Sequence, residues 1–300
     1  MKKKTYLIAL MAMALTLGSC SDNENGIGGE TSKYITVSTS IGNMTRVATD
    51  ANGAQTFEEG DEISVYAWTG APTVAPETSE RVVNNAINKL TNGSWVATPQ
   101  MLWKNNRDKH YFIGVYPVSA ISDLSAGEYT FDETKQVESD LLVAVNKDGL
   151  SYNVDEQQPV PLTFTHVMAK LVVNLTYKNQ WGGIPTVEKV AVGNAAKEAT
   201  INYLTKVVTP STTAKEDFSL PEITENTKYV SVIIPQEDVK QLTIVIGGKN
   251  FVYDNGTPFK LESGKITTVN LEVGRDEIKL GDVKITNWED GSTFSGEALN

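Results

Sequence analysis

Apolar positions along this chain fall mostly into short alternating runs. Over residues 34–41, Ile35, Val37, Thr39 and Ile41 point one way and Tyr34, Thr36, Ser38 and Ser40 the other. A period of two marks a strand with one buried face. The same reading predicts strands over 62–68, 109–116, 169–177, 187–192, 229–234, 242–246, 251–253, 266–273 and 283–288. In the run 169–177, Ala169, Leu171, Val173, Leu175 and Tyr177 share a face. Turn signals lie between the runs: Asn52-Gly53, Gly182-Gly183, Gly247-Gly248 and Asn255-Gly256. The Gly247-Gly248 pair separates two apolar runs at hairpin spacing. One stretch reads differently: in 79–90, Val82, Ala86 and Leu90 recur about every four residues, which predicts a helix. Many short strands with such turns predict an all-β chain of β-sandwiches. The polar, proline-bearing segment 155–161 reads as a linker. It suggests a break near 160, with N-terminal and C-terminal sandwich domains over 33–160 and 161–300.

The N-terminus carries a different pattern. Lys2, Lys3 and Lys4 precede an apolar stretch at 6–17. That stretch is too short to span a bilayer, which takes about 20 residues, and it fits the core of a secretory signal peptide over 1–19. Leu17-Gly18-Ser19-Cys20 resembles a bacterial lipobox, in which the cysteine is lipidated and the chain is cut just before it. The alternative is a plain signal peptide with a chance cysteine. Cys20 is the only cysteine, so no intramolecular disulfide and no cysteine-based metal cluster can form. The polar, acidic run at 21–25 either resembles the surface-export tag of Bacteroidota lipoproteins or serves as an ordinary tether with Gly26, Gly28 and Gly29.

Charge narrows the partners. The chain has 26 basic and 37 acidic residues, a formal net charge of −11, and loss of 1–19 would remove three lysines more. An acidic surface repels phosphate backbones and argues against nucleic acid. It also disfavours anionic lipid, leaving membrane contact to a lipid on Cys20. Catalytic chemistry finds little support. The two histidines, His110 and His166, are far apart in sequence and give no metal or triad spacing. His110 reads as an exposed or half-buried strand residue, and His166 as a hydrogen-bonded core residue. Gly264-Lys265-Ile266-Thr267 lacks the upstream glycine of a phosphate loop and reads as a turn. Carboxylates are scattered, so no acid pair stands out. No cofactor is expected and the chain reads as a non-enzyme. At least three of Trp68, Trp95, Trp103, Trp181 and Trp288 are expected inside the cores.

Several fragments then line up with one family. The segment 57–65 (FEEGDEISV) resembles an F-x-x-G-D-x-I-x-V motif. Trp103, Tyr111-Phe112 and Tyr116-Pro117 resemble W…Y-F…Y-P. The segment 140–144 (DLLVA) resembles D-L-L-x-A, 164–173 (FTHVMAKLVV) resembles F-x-H-x-x-A-K-L-x-V, and 283–291 (VKITNWEDG) resembles I-x-x-W-x-x-G. In this order they resemble the fimbrillin family, the Mfa-like and FimA-like type V pilus subunits of Bacteroidota. The resemblance covers most of 33–291. It implies two tandem transthyretin-like β-sandwich domains and a structural subunit of a cell-surface pilus that supports adhesion. It also implies a lipid-anchored precursor on the outer membrane. An arginine-specific protease would remove a propeptide at 20–46 that includes the first strand, and another pilus subunit would refill the groove by strand addition. Thr45-Arg46-Val47 offers the cut, between Arg46 and Val47, unless Arg46 is simply a surface arginine. At the other end, 278–300 offers donor residues Ile278, Leu280, Val283 and Ile285, unless they form the last strand of their own domain. Gly281 would let the two halves of that segment face different ways. The competing reading is a lipid-anchored protein that does not polymerise, or a tip adhesin. Either would bind a host or bacterial surface glycan or protein.

Overall fold

In the computed structural model, residues 33–42, 56–153, 158–254 and 256–288 are described. Among them the protein is nearly all-β, with only two three-residue 3-10 turns, Thr78–Glu80 and Asn179–Trp181. In chain order the first strands are β1 (Val37–Ile41), β2 (Glu62–Thr69), β3 (Val83–Thr91), β4 (Ser94–Thr98), β5 (His110–Tyr116), β6 (Gly127–Thr130), β7 (Leu142–Leu150) and β8 (Val160–His166). There follow β9 (Ala169–Tyr177), β10 (Val187–Ala196), β11 (Glu198–Asn202), β12 (Val207–Pro210), β13 (Lys215–Ser219), β14 (Glu222–Thr224) and β15 (Lys228–Ile233). The last are β16 (Gln241–Ile246), β17 (Lys249–Asp254), β18 (Lys265–Val273) and β19 (Ile278–Asn287).

A seven-stranded sheet takes the order β1-β8-β7-β5-β2-β3-β4. Both of its faces are covered, which is why β2 and β5 read as nearly continuous apolar runs. One face carries Ile63, Val65, Phe112, Ala144, Leu162 and Phe164; the other, with Tyr66, Trp68, Ile113 and Val143, joins the larger core. That larger core continues between a four-stranded sheet (β13-β10-β16-β17) and a five-stranded one (β14-β15-β9-β18-β19). A small three-stranded sheet, β12-β11-β6, pairs a strand from before residue 160 with two from after it. The chain passes from the seven-stranded to the five-stranded sheet through buried Val167 and Met168, a few residues beyond the expected break near 160.

The ten expected strands all form. The expected helix over 79–90 does not: after the turn at Thr78–Glu80 that stretch is β3. The cause is a bulge. Pairing of β2 with β3 shifts between Val65/Ala86 and Ala67/Val83, and Asn85 takes a left-handed φ of 55°. The extra residue puts Val83 on the buried face out of phase with Ala86 and Asn88, so the strand loses its clean alternation, and the recurrence of half-buried Val82 and Leu90 with Ala86 every four residues is left to imitate a helix. Two-residue turns close hairpins at Gly247-Gly248 (φ 57° and 71°) and Asn92-Gly93 (φ 51° and 73°), the left-handed pair that matches strand twist. The turn before β18 places Gly264 at φ 66°. Two of the five tryptophans, Trp68 and Trp288, are buried; Trp95, Trp103 and Trp181 are half-buried against the cores, short of the three expected inside. The reason is position, since these three sit at strand ends and rims where one ring edge faces water.

Candidate assembly site

The two ends of the described chain are sheet edges of opposite character. β1 lies parallel to β8 at one edge of the seven-stranded sheet, with Val37 opposite Val160 and Ile41 opposite Phe164. Val160 N–H donates to Thr36 O at 2.8 Å, and Gly42 N–H donates to Phe164 O at 2.8 Å. Just before β1, Tyr34 bridges Leu102, and Ile35 N–H donates to Met101 O at 2.9 Å. Trp95 Nε1 reaches Thr39 Oγ1 at 3.0 Å. The segment therefore touches both outer edges of the curled sheet and closes it around its inner core. Ile35 (3% exposed) and Val37 (6%) fill that core, while Ile41 and Thr39 are half-buried. Two full aliphatic side chains correspond to roughly 3–6 kcal/mol of burial.

β8 depends on β1 to an unusual degree. Its pairing with β7 covers only Phe164, Thr165 and His166; among the described residues, Val160 to Thr163 pair with β1 alone. What else holds β8 is packing on β5, where the absence of a side chain at Gly114 matters. A Cβ there would lie 2.7 Å from Phe164 Cζ and 3.1 Å from Leu162 Cδ1.

At the other end, β19 is antiparallel to β18 at the edge of the five-stranded sheet. Its register steps at Gly281, so that Ile278, Leu280, Val283 and Ile285 sit opposite Val273, Leu271, Val269 and Thr267. Residues directly opposite share a face. All four expected donor residues therefore lie on one face, the side of the buried β18 residues, and the expectation that Gly281 splits them is corrected: the bulge absorbs the odd spacing. They overhang the core. Leu280, Val283 and Ile285 are 37–39% exposed and Ile278 is half-buried. The exposed segment 275–277 that leads into β19 is part of a tight connection: Gly274 N–H donates to Glu277 O at 2.8 Å, and Glu277 pairs with Lys178.

Between these edges lies a compact polar cluster that the sequence motif contained without revealing. His166 Nδ1 donates to Asp140 Oδ1 at 2.8 Å. The ring of Trp288 stacks on His166, with centroids 4.2 Å apart and planes 7° from parallel. Lys170 Nζ lies 5.1 Å from the Trp288 ring centroid, a cation–π contact. Lys170 is only 2% exposed, and burial pulls its ammonium down to about 8, with Asp140 pushing it up and Lys228 lowering it further. Trp288 N–H donates to Gly264 O at 3.1 Å, while its indole N–H is buried with no partner among the described residues. His110, expected to be at least half-exposed, is fully buried. Its Nε2 accepts from Lys104 N–H at 3.1 Å and its Nδ1 faces Asp108 O at 3.1 Å, so the ring is held neutral and burial lowers its pKa.

Cys20, Arg46 and Val47 lie outside the described residues. Among the described residues no group of three or more His, Cys, Asp or Glu could hold a metal, and no helix is long and apolar enough to cross a membrane.

Solved structures resemble this fold closely in extent though not in sequence. A candidate cell adhesion protein from Bacteroides uniformis ATCC 8492 superposes with a TM-score of 0.64 at 19% identity, covering 86% of this chain and 100% of its own. One from Bacteroides ovatus ATCC 8483 gives 0.62 at 18%, covering 85% and 98%. The tip fimbrial protein Mfa3 from Porphyromonas gingivalis, truncated at its C-terminus, gives 0.50 at 11%, covering 77% and 95%. No curated protein sequence matches. The family profile described as fimbrillin-like matches residues 45–288, and the chain belongs to that family.

Proposed function

We propose that the protein is a structural subunit of a cell-surface pilus, assembled by protease-triggered strand exchange. The observation that carries this is the lone dependence of Val160 to Thr163 on β1. In this reading Cys20 carries the lipid that holds the precursor at the outer membrane, and an arginine-specific protease cuts between Arg46 and Val47. β1 then leaves, taking Ile35, Val37 and Ile41 from the inner core and uncovering both the slot and a row of backbone groups on β8. A neighbouring subunit refills it with an apolar stripe. The stripe Ile278, Leu280, Val283 and Ile285 suits that role, because it is already on one face and Leu280, Val283 and Ile285 each keep more than a third of their surface exposed. In this reading two tandem sandwich domains meet at Val167–Met168, with the slot at the edge of the seven-stranded sheet and the stripe at the edge of the five-stranded one.

The test is treatment of purified protein with an arginine-specific protease. Laddered polymers should appear, with an N-terminus at Val47, and Arg46→Ala should abolish both. A trimmed species that stays monomeric at high concentration favours a tip or non-polymerising adhesin instead. Cys20→Ala should lose palmitate labelling; a labelled mutant contradicts the lipid assignment.

A further inference from the structure

We propose that Trp288 is a latch that keeps β19 on its own sheet, and that β8 couples this latch to the presence of β1. The proposal rests on the strand-exchange reading for its biological purpose, but its structural content is independent of polymerisation.

β19 is held unevenly. Along the strand, Leu280, Val283 and Ile285 each leave more than a third of their surface in water. At its end the chain turns inward, and Trp288 is 5% exposed. Three contacts fix it there: the stack on His166, the Lys170 ammonium over its face, and the backbone bond to Gly264. Gly264 N–H in turn donates to Met168 O at 2.8 Å, so the ring closes over the point where the chain changes sheets. The buried indole N–H, which has no partner among the described residues, works against the docking. A side chain that is deeply seated yet imperfectly satisfied is suited to release.

His166, the floor of the latch, is the last residue of β8. Two residues before it, Phe164 O accepts from Gly42 and Phe164 pairs with Ile41, at the end of β1. Ser40 Oγ donates to Thr163 Oγ1 at 3.2 Å. β1 and Trp288 thus rest on adjacent stretches of one strand. Without β1, the first four residues of β8 lose their strand partner, and His166 is left at the end of a strand paired over three residues. His166 keeps its bond to Asp140, but its ring is no longer held by a strand braced along its full length. Loss of the first strand would therefore loosen the last one, and the stripe becomes available only in a subunit whose own slot has been opened. This arrangement would keep an apolar edge covered until a partner site exists.

The experiment is amide hydrogen exchange of the intact chain, read by mass spectrometry over β19, β1 and β9. Trp288→Ala should raise exchange across Ile278–Asn287 at least tenfold while β9 stays protected, and Trp288→Phe, which keeps a stacked ring, should recover most of it. Val37→Asp, which expels β1 without touching the latch, should raise exchange in β1 and in β19 together. Should Val37→Asp unfold the protein, Val37→Ala serves, with a smaller rise in both. If β1 is freed while β19 keeps its native protection, the coupling through β8 is wrong. If Trp288→Ala leaves β19 protected, there is no latch. Coupled exchange in a protein that fails to polymerise would uphold the latch and remove the donor role from β19.

Discussion

β1 and β19 are both edge strands, yet they are held by opposite means. β1 has five residues and a parallel pairing to one neighbour, but together with the residues just before it the segment buries Ile35 and Val37 almost completely. β19 has ten residues and nine paired positions along β18, but Leu280, Val283 and Ile285 stay more than a third exposed, and Trp288 just beyond it is buried. The first is a plug held by its side chains; the second is a ribbon held by its backbone and pinned at one point. A slot that needs apolar filling and a strand with partly exposed apolar side chains are complementary, and in the proposed strand exchange this asymmetry would give the assembly its direction.

The comparison can be broken most severely at the plug. Val37→Asp places a carboxylate in the inner core and should cost more than about 3 kcal/mol or expel β1 outright; urea unfolding followed by proteolysis of the N-terminal segment reads this. A loss under about 1 kcal/mol would mean that Val37 does not seal the sheet. Next comes the pin. Trp288→Ala should lower stability by about 2–4 kcal/mol, toward the lower part of the range for large aromatic truncations because the indole N–H has no partner among the described residues. Thermal melts in parallel with Trp288→Phe, which should lose less, separate packing from stacking.

Lys170 gives a test by pH. Its folded pKa is lowered to about 8 from the model-peptide value of 10.5, so the unfolded chain binds more protons than the folded one between those values. The destabilisation is full below about pH 8 and is relieved as pH rises, for a gain on the order of 2–3 kcal/mol by pH 10. Above pH 10 the buried tyrosines, such as Tyr116 held near 12 by burial and Asp61, begin to act in the opposite sense. Denaturation midpoints at pH 8, 9 and 10 should rise more steeply in the wild type than in Lys170→Met. The smallest effect belongs to the ribbon. Ile285→Asp should lower monomer stability by only about 1–2 kcal/mol, since the side chain is already 38% exposed, yet it should suppress polymer formation. A large loss of monomer stability would mean that the stripe is part of the core after all.

What the sequence revealed follows the same division. Wherever alternation was undisturbed, as in β1 and β18, the more buried face could be read from the residues alone; in β9 the expected face is buried too, but Lys170 and Val172 on the opposite face are buried with it. Where a bulge added a residue, the period failed. Asn85 turned β3 into an apparent helix, and that reading hid the Asn92-Gly93 hairpin immediately after it. Gly281 seemed to divide β19, whereas its bulge unites the stripe. The edge character of β1 and β19 was not legible, because strand order depends on pairings such as Tyr34 with Leu102 across long stretches of chain. The cluster of Asp140, His166, Lys170 and Trp288 was present in three motif fragments as residue types. Their meeting required four segments to converge, and the one available signal was a lysine set inside an otherwise apolar strand.

The central claim is that β1 leaves the edge of β8 and that a neighbour takes its place. The most direct test follows exchange of the peptide spanning β8, including the Val160 amide that donates to Thr36 O, in three states: intact protein, protein trimmed after Arg46 and kept monomeric by Ile285→Asp, and assembled polymer. The account predicts protection, then loss of protection, then its return. Polymers in which β8 stays exposed, or trimmed monomers in which it stays protected, would contradict it.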